Sequence, residues 1–350
     1  MRIALALRAL NLANPAPASY IELAQAAERW GYDSVWAPEL RGTDPFGLLG
    51  WVGGHTNRIG LGCAVAQVTA RGPVAMAASA LTLDGLSEGR FRLGLGVSGP
   101  QVVEGWHGRP FGMSLSYMRE YLAVVRMALD GKPISYAGRQ VALPLPSASE
   151  DVVPMSLPAP PSRLPVYLAG IGRNAVTLAG ELADGWIAIH CPPRYMTQAR
   201  SWLAEGAAKS GHELEGFTTS VMVLCCVDED EDLARDLVRP ALVLFIAAMG
   251  TSRVNFYNQL AARLGFEAAA VAMRNAHAAG DMDAAMAAAG DDLVDAMTLC
   301  GTPEQVRRKL AAYRDAGVNT LILAPVALSK RSQLEQIEVL GALAECTRVS

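Results

Sequence analysis

The chain has 350 residues, of which 51% are apolar and 18% are charged, and its formal net charge is −4. A chain of this length and composition can bury a large core, which excludes an intrinsically disordered protein. It contains no block of basic residues, so neither nucleic acid nor an anionic membrane surface is an expected partner. Length, composition and charge therefore indicate a folded protein whose partners are neither nucleic acids nor anionic membranes.

The six cysteines are scattered, and no Cys-x-x-Cys pair or histidine cluster accompanies them. Isolated thiols are typical of a reducing compartment, and a structural zinc site is not expected. The first apolar run stops at Arg8 and is too short for a signal peptide. No segment reaches the roughly 18 apolar residues that a membrane-spanning helix needs. We therefore expect a cytoplasmic protein.

Short apolar runs alternate with helical patterns along the chain. The helical patterns begin with a capping box at Ser19–Glu22, then with Asp44-Pro45, and later with a second capping box at Thr302–Gln305. The predicted strands are residues 3–7, 33–37, 59–63, 91–96, 165–169, 185–190, 217–226 and 319–324.

Eight apolar strands, each associated with a helix, predict a parallel sheet whose outer face is covered by helices. Doubly wound α/β folds share this alternation. Eight units without a second zone of composition favour a closed (β/α)8 TIM barrel with insertions. We expect a single domain over residues 1–350, with a proline-rich excursion at 131–162 and a helical insertion at 239–299. Both could wall one end of the barrel, or form a solvated loop and an oligomer contact.

In such a barrel the active site lies at the carboxyl ends of the strands. The fifth predicted strand ends in Gly170-Ile171-Gly172-Arg173, followed by Asn174. Glycines expose backbone N–H groups, Asn174 can start a helix, and Arg173 adds a positive charge. This pattern suits a phosphate at a helix N-terminus, although an ordinary strand-to-helix turn looks the same.

Two side chains at strand ends are candidate acids or bases. His190 ends the sixth predicted strand, and an imidazole can transfer protons near neutral pH. Its alternative role is a hydrogen-bonded residue that completes the strand. Glu39 ends the second predicted strand, where a carboxylate would face a cleft; its alternative role is a surface ion pair with Arg41.

The chain has no G-x-S-x-G, H-E-x-x-H or phosphate-loop motif. A barrel without an evident nucleophile or metal cluster suggests that a cofactor supplies the reactive chemistry.

Five short segments recur in the order and spacing of a known family: residues 31–36 (GYDSVW), 56–62 (TNRIGLG), 89–96 (GRFRLGLG), 183–186 (ADGW) and 301–306 (GTPEQV). Together they resemble the luciferase-like monooxygenase superfamily. Residues 98–106 (SGPQVVEGW) are similar to its coenzyme F420-dependent oxidoreductase branch.

The resemblance implies a bacterial luciferase-like barrel, often a homodimer, that binds coenzyme F420 at the carboxyl ends of its strands. It also implies a non-prolyl cis peptide after Cys63, between Ala64 and Val65, that bulges against the cofactor ring. Ser98 and Gly99 would flank the ribityl chain, and the phosphate groove would correspond to residues 170–173. The alternatives are an FMN-dependent monooxygenase on the same barrel and a non-catalytic cofactor-binding protein.

One position departs from the family pattern. Some F420-dependent dehydrogenases have a histidine after the acidic residue that ends the second strand, whereas this chain has Glu39-Leu40. The resemblance then favours reduction of a C=C or C=N bond of a small-molecule substrate. His190 is the first candidate proton donor and Glu39 the second, with Tyr117 or water as alternatives.

Overall fold

The computed structural model describes residues 1–7, 17–39, 43–112, 114–211, 213–251 and 253–346. Predictions that involve residues 8–11, Leu40 or Arg41 lie outside these ranges. The strands are β1 Arg2–Ala6, β2 Ser34–Ala37, β3 Gly60–Cys63, β4 Ala66–Gln67, β5 Phe91–Gly96, β6 Tyr136–Ala137, β7 Ala142–Leu143, β8 Val166–Ala169, β9 Gly185–Ile189, β10 Thr218–Val227, β11 Leu299–Gly301 and β12 Thr320–Pro325.

Helices separate most of these strands; a π-helical turn lies at Leu244–Ala248, and a segment with a kink at Gly265, Ala262–Phe266, joins two helices of the insertion. None of the described helices combines the length and apolarity needed to cross a lipid bilayer. The helices are α1 Pro17–Arg29, α2 Pro45–Gly53, α3 Pro73–Leu86, α4 Pro100–Val103, α5 Ser114–Leu129, α6 Arg173–Leu182, α7 Pro193–Ser210, α8 Glu231–Val243, α9 Phe256–Ala261, α10 Glu267–Ala278, α11 Met282–Ala287, α12 Asp291–Met297, α13 Pro303–Asp315 and α14 Lys330–Cys346.

Eight of the strands close into a barrel in the order β1–β2–β3–β5–β8–β9–β10–β12. All of their pairings are parallel, and β12 returns to β1 with Ile3 opposite Leu321. The predicted TIM barrel is therefore confirmed. Because the strands are parallel, their carboxyl ends share one rim.

The predicted element boundaries differ from the structure in instructive places. The prediction that Ser19 is the N-cap of the first helix was wrong, because α1 already begins at Pro17 and Ser19 lies inside its first turn. Proline is accommodated there because the first N–H groups of a helix have no intrahelical acceptor. The second capping box is confirmed: Gln305 N–H donates to Thr302 Oγ1, and Gln305 Oε1 accepts from Thr302 N–H.

The two irregular segments differ in structure. Residues 131–162 contain a small antiparallel ribbon of β6 and β7, whose turn is held by backbone N–H groups that donate to Glu120. The helices after β10 begin at Glu231, eight residues before the predicted start at Arg239, and they run to α12 and β11. Of these helices, α8, α9 and α10 pack against the π-helical turn Leu244–Ala248.

The family-like motif residues Arg90 and Asp184 have structural roles at the amino-terminal rim. The Arg90 guanidinium donates to the carbonyl oxygens of Gly53 and Ile59, at 3.0 Å each. Asp184 accepts from Arg126 at 2.6 Å and from the Val166 N–H at 2.8 Å. Both residues thus join connecting segments at the end opposite the expected active site.

Close approach of β3 and β5 depends on Gly94. A Cβ atom at Gly94 would lie 2.0 Å from the carbonyl oxygen of Cys63. This contact immediately precedes the Ala64–Val65 segment, so the two strands can converge beneath that segment only if residue 94 lacks a side chain.

We predict that Gly94→Ala lowers the free energy of unfolding by about 1–3 kcal/mol, the usual cost of overpacking a core. Gly50→Ala is the matched control, because a Cβ there meets nothing within 4 Å. Alanine in a helix interior is more favourable than glycine by about 0.5–1 kcal/mol. Urea unfolding of both variants measures the difference, and equal stabilities would contradict the packing argument.

Candidate functional site

A cavity of about 1000 Å³ opens at the carboxyl rim of the barrel. Its volume is at the upper end of the range for small-molecule sites, and most of its wall is apolar. Nine of the residues predicted from the sequence line it: Glu39, Ala64, Val65, Ser98, Gly99, Gly170, Ile171, Gly172 and Arg173. Cys63 and His190 do not.

The segment after β3 forms one wall of the cavity. The Ala64–Val65 peptide bond is cis, as the family resemblance implied. Val65 packs closely against Gly96, where a Cβ atom would lie 2.4 Å from Val65 Cγ2. Cys63 is fully buried, and burial raises the pKa of its thiol well above the usual value. The thiol therefore stays protonated at neutral pH and is no candidate nucleophile.

Glu39 is held in place by hydrogen bonds from two sides. Its Oε1 accepts from Arg71 Nη1 at 2.6 Å, and its Oε2 accepts from the Gln67 N–H at 2.6 Å. Arg71 also pairs with Asp44. The Glu39 side chain is 14% exposed, so this ion pair is largely shielded from water. Glu39 is the one carboxylate among the described residues that line the cavity.

A buried tyrosine supports this ion pair from behind. Tyr121 is 0% exposed, and its hydroxyl donates to the Arg71 carbonyl oxygen at 3.1 Å. Burial raises the pKa of Tyr121, so the hydroxyl remains a neutral donor at any physiological pH. The backbone of Arg71 is thus fixed independently of its guanidinium group.

The N-terminus of α6 forms another part of the cavity wall. Gly172 is the N-cap, and no side chain caps the first backbone N–H groups of this helix. A Cβ at Gly172 meets nothing within 4 Å, whereas one at Gly170 would lie 2.4 Å from Ala175 Cβ. Gly170 therefore permits the tight turn, and the exposed N–H groups at Gly172 form a potential anion site.

Arg173 is the charged residue of this segment. Its side chain is 63% exposed, and Nη2 donates to Glu205 Oε2 at 2.9 Å. Glu205 also lies 3.5 Å from Lys209 Nζ. An anion at the α6 N-terminus would therefore compete with Glu205 for Arg173.

His190 lies behind the cavity wall. It comes directly after β9 in a left-handed backbone conformation, with φ of 56°, and is 0% exposed. Its ring makes an edge contact with Phe245 at 4.4 Å between centroids and lies 6.1 Å from the Tyr257 ring. Phe245 and Tyr257 themselves line the cavity. His190 is thus placed to support the aromatic wall.

The side chains that the helical insertion contributes to the cavity were not predicted from the sequence. Three of the seven phenylalanines in the chain fall within residues 239–299, and this clustering of aromatic residues in an alanine-rich insertion was the available signal. The lining residues from this region are Phe245, Met249, Val254, Phe256, Tyr257 and Arg263, with Phe111 contributed by the loop after α4.

The fold and the cavity define a TIM barrel with a cofactor-sized site at its carboxyl rim. The family model for luciferase-like monooxygenases matches residues 3–320. The chain belongs to this family.

Relatives within the family are similar over nearly the whole chain. A Mycobacterium tuberculosis protein with the provisional name coenzyme F420-dependent oxidoreductase is 35% identical over 335 residues, covering 93% of this chain and 94% of that protein. The 5,10-methylenetetrahydromethanopterin reductase of Archaeoglobus fulgidus is 26% identical, covering 91% and 92%. The solved structure of the coenzyme F420-dependent tetrahydromethanopterin reductase of Methanopyrus kandleri has a TM-score of 0.80 at 23% identity, covering 99% of this chain and 98% of that one.

Proposed function

We propose that the chain is a coenzyme F420-dependent oxidoreductase that reduces a C=C or C=N bond of a small molecule. The observation that carries this proposal is the lining of the cavity, which combines an apolar segment at Val65 with a glycine-rich helix N-terminus at Gly172. The relative from M. tuberculosis, at 35% identity, supports F420 as the cofactor.

The residues of the cavity fit this cofactor. A flat tricyclic ring needs an apolar surface, and Val65, Ile187 and Met222 are among the apolar residues that line the cavity. A phosphate needs N–H donors and positive charge, which the α6 N-terminus and Arg173 provide. Ser98 and Gly99 line the cavity between these two regions and would contact the ribityl chain.

When bound in its reduced form, the deazaflavin supplies a hydride. The protein's own contribution is to orient the substrate, exclude water and provide a proton. Glu39 lines the cavity, and we propose it as the proton-carrying group ahead of His190, which is separated from the cavity by Phe245. Arg71, fixed by Asp44 and Tyr121, stabilises the Glu39 carboxylate after the proton has left.

The choice of a C=C or C=N bond rests on the residue directly after Glu39. Residue 40 is a leucine, so the histidine expected for alcohol dehydrogenation is missing from the sequence. The relative from A. fulgidus is named as a reductase, which supports the reductive direction. For reduction, the protein needs only to position the unsaturated acceptor and to supply the proton that completes the reduced product.

We also propose that the chain acts as one domain, as a cytoplasmic homodimer. Buried thiols such as Cys63 and Cys191, with no disulfide among the described cysteines, suit a reducing compartment. The family resemblance supports the dimer.

We expect the purified protein to bind F420 at least about tenfold more tightly than FMN, which corresponds to roughly 1.4 kcal/mol. Fluorescence titration with both cofactors measures this ratio. Preferential binding of FMN would instead support the alternative of an FMN-dependent monooxygenase.

Arg173 and Glu205 give a paired test of the phosphate site. Arg173→Ala should weaken F420 binding by about 1–3 kcal/mol, the scale of a charge-assisted hydrogen bond. Glu205→Gln removes the competing carboxylate and should tighten binding slightly. The two variants change net charge by one unit in opposite directions. If both leave the dissociation constant unchanged, backbone N–H groups alone hold the phosphate or the phosphate lies elsewhere.

The proton-carrying role is tested by Glu39→Gln and His190→Asn, measured in single-turnover reduction of a fixed acceptor at saturating cofactor. Loss of the true donor should slow the step by about 10²–10⁴-fold and leave cofactor affinity nearly intact. We expect that loss for Glu39→Gln and a smaller one for His190→Asn. A rate for Glu39→Gln within threefold of the parent would exclude Glu39.

A further inference from the structure

The charged side chains that line the cavity differ in whether they form an ion pair. Among the described lining residues, the charged side chains are Glu39, Arg173 and Arg263. Glu39 pairs with Arg71 at 2.6 Å and Arg173 pairs with Glu205 at 2.9 Å. Arg263 has no ion pair with any carboxylate in the part of the chain that the structure describes. The cavity therefore presents one positive charge that the protein itself does not balance.

Arg263 belongs to the helical insertion, in the segment Ala262–Phe266 that joins α9 to α10. Gly265 in this segment has φ of 93°, which a residue with a side chain rarely adopts, so the chain kinks between the two helices. Arg263 lies just before this kink and lines the cavity.

Tyr195 lies between Arg263 and the glycine-rich turn before α6. The Arg263 guanidinium is close enough to Tyr195 to influence the pKa of its hydroxyl, and that hydroxyl donates to the Ile171 carbonyl oxygen. Burial raises the pKa of Tyr195, so its hydroxyl stays neutral and leaves the charge of Arg263 uncompensated. Arg263 and Arg173 thus belong to different elements that border the same cavity.

We propose that Arg263 binds an anionic group, a phosphate or a carboxylate, of a ligand in this cavity. The group belongs either to the phosphate-bearing arm of the cofactor or to an acidic substrate, because both would extend from the apolar wall toward the α6 N-terminus. A guanidinium offers several N–H donors in a plane that matches either anion. The inference rests on the proposed function, since it assigns one more binding residue to the same site.

The test compares Arg263→Gln and Arg263→Lys with Arg194→Gln. Arg194 is the matched control, because it carries the same charge beside the same segment, donates to the Leu264 carbonyl oxygen at 2.7 Å, and does not line the cavity. Two pairs of probes are titrated by fluorescence: F420 against its phosphate-free riboside, and, with cofactor bound, cinnamate against methyl cinnamate. Each pair differs in an anionic group and shares its ring.

If the cofactor supplies the anion, Arg263→Gln weakens F420 binding by about tenfold or more and leaves the riboside unchanged. If the substrate supplies it, the same variant weakens cinnamate and leaves the methyl ester unchanged. Arg263→Lys should retain most of the affinity in either case, and Arg194→Gln all of it.

The proposal is overturned if Arg263→Gln binds every anionic probe with the same affinity as the parent protein. This holds also if cinnamate does not bind the parent and only F420 can be compared.

The parent protein itself shows whether the F420 assignment fails. If the parent prefers FMN, then FMN and riboflavin replace F420 and its riboside as the pair of probes. Arg263→Gln that loses affinity for FMN but not for riboflavin would still support the role of Arg263.

Discussion

Backbone hydrogen bonding between the first and last strands is the constraint on which the site depends. Parallel pairing of β1 with β12 closes the sheet, with Arg2 opposite Thr320 and Leu5 opposite Leu323. Closure in parallel register brings eight strand ends to one rim, although they lie far apart in sequence. Without it, Glu39 after β2 and Gly170 after β8 would not face a common cavity.

The cavity combines a rigid and a variable part. The strand ends and the α6 N-terminus supply a flat apolar surface and backbone N–H donors, and close packing at Gly94 and Gly96 leaves them little freedom. The helical insertion supplies aromatic side chains and Arg263 from outside the barrel. A division of this kind lets the residues of the insertion change without altering the barrel that supports the rest of the cavity.

Sequence patterns sufficed for the barrel because buried parallel strands are short apolar runs, and helices such as α13, which begins after the capping box at Thr302, carry their own boundary signals. The strand-end residues were predicted from the same topology. Arg71 was missed because its pairing with Glu39 joins residues 32 positions apart in a loop without a pattern. Arg263 was missed because the helical period of the insertion says nothing about which turn reaches the rim. The placement of His190 behind Phe245 depends on packing that no local pattern encodes.

The proposed transfer of a hydride from a reduced deazaflavin to an unsaturated bond can be followed with isotopes. Reduced F420 that carries deuterium at its hydride position is mixed with the protein, an unsaturated acceptor and isotopically labelled dioxygen. Mass spectrometry of the product then distinguishes reduction from oxygenation. We expect a product that carries deuterium from the cofactor and no labelled oxygen; a product with labelled oxygen and no deuterium would exclude hydride transfer as the reaction.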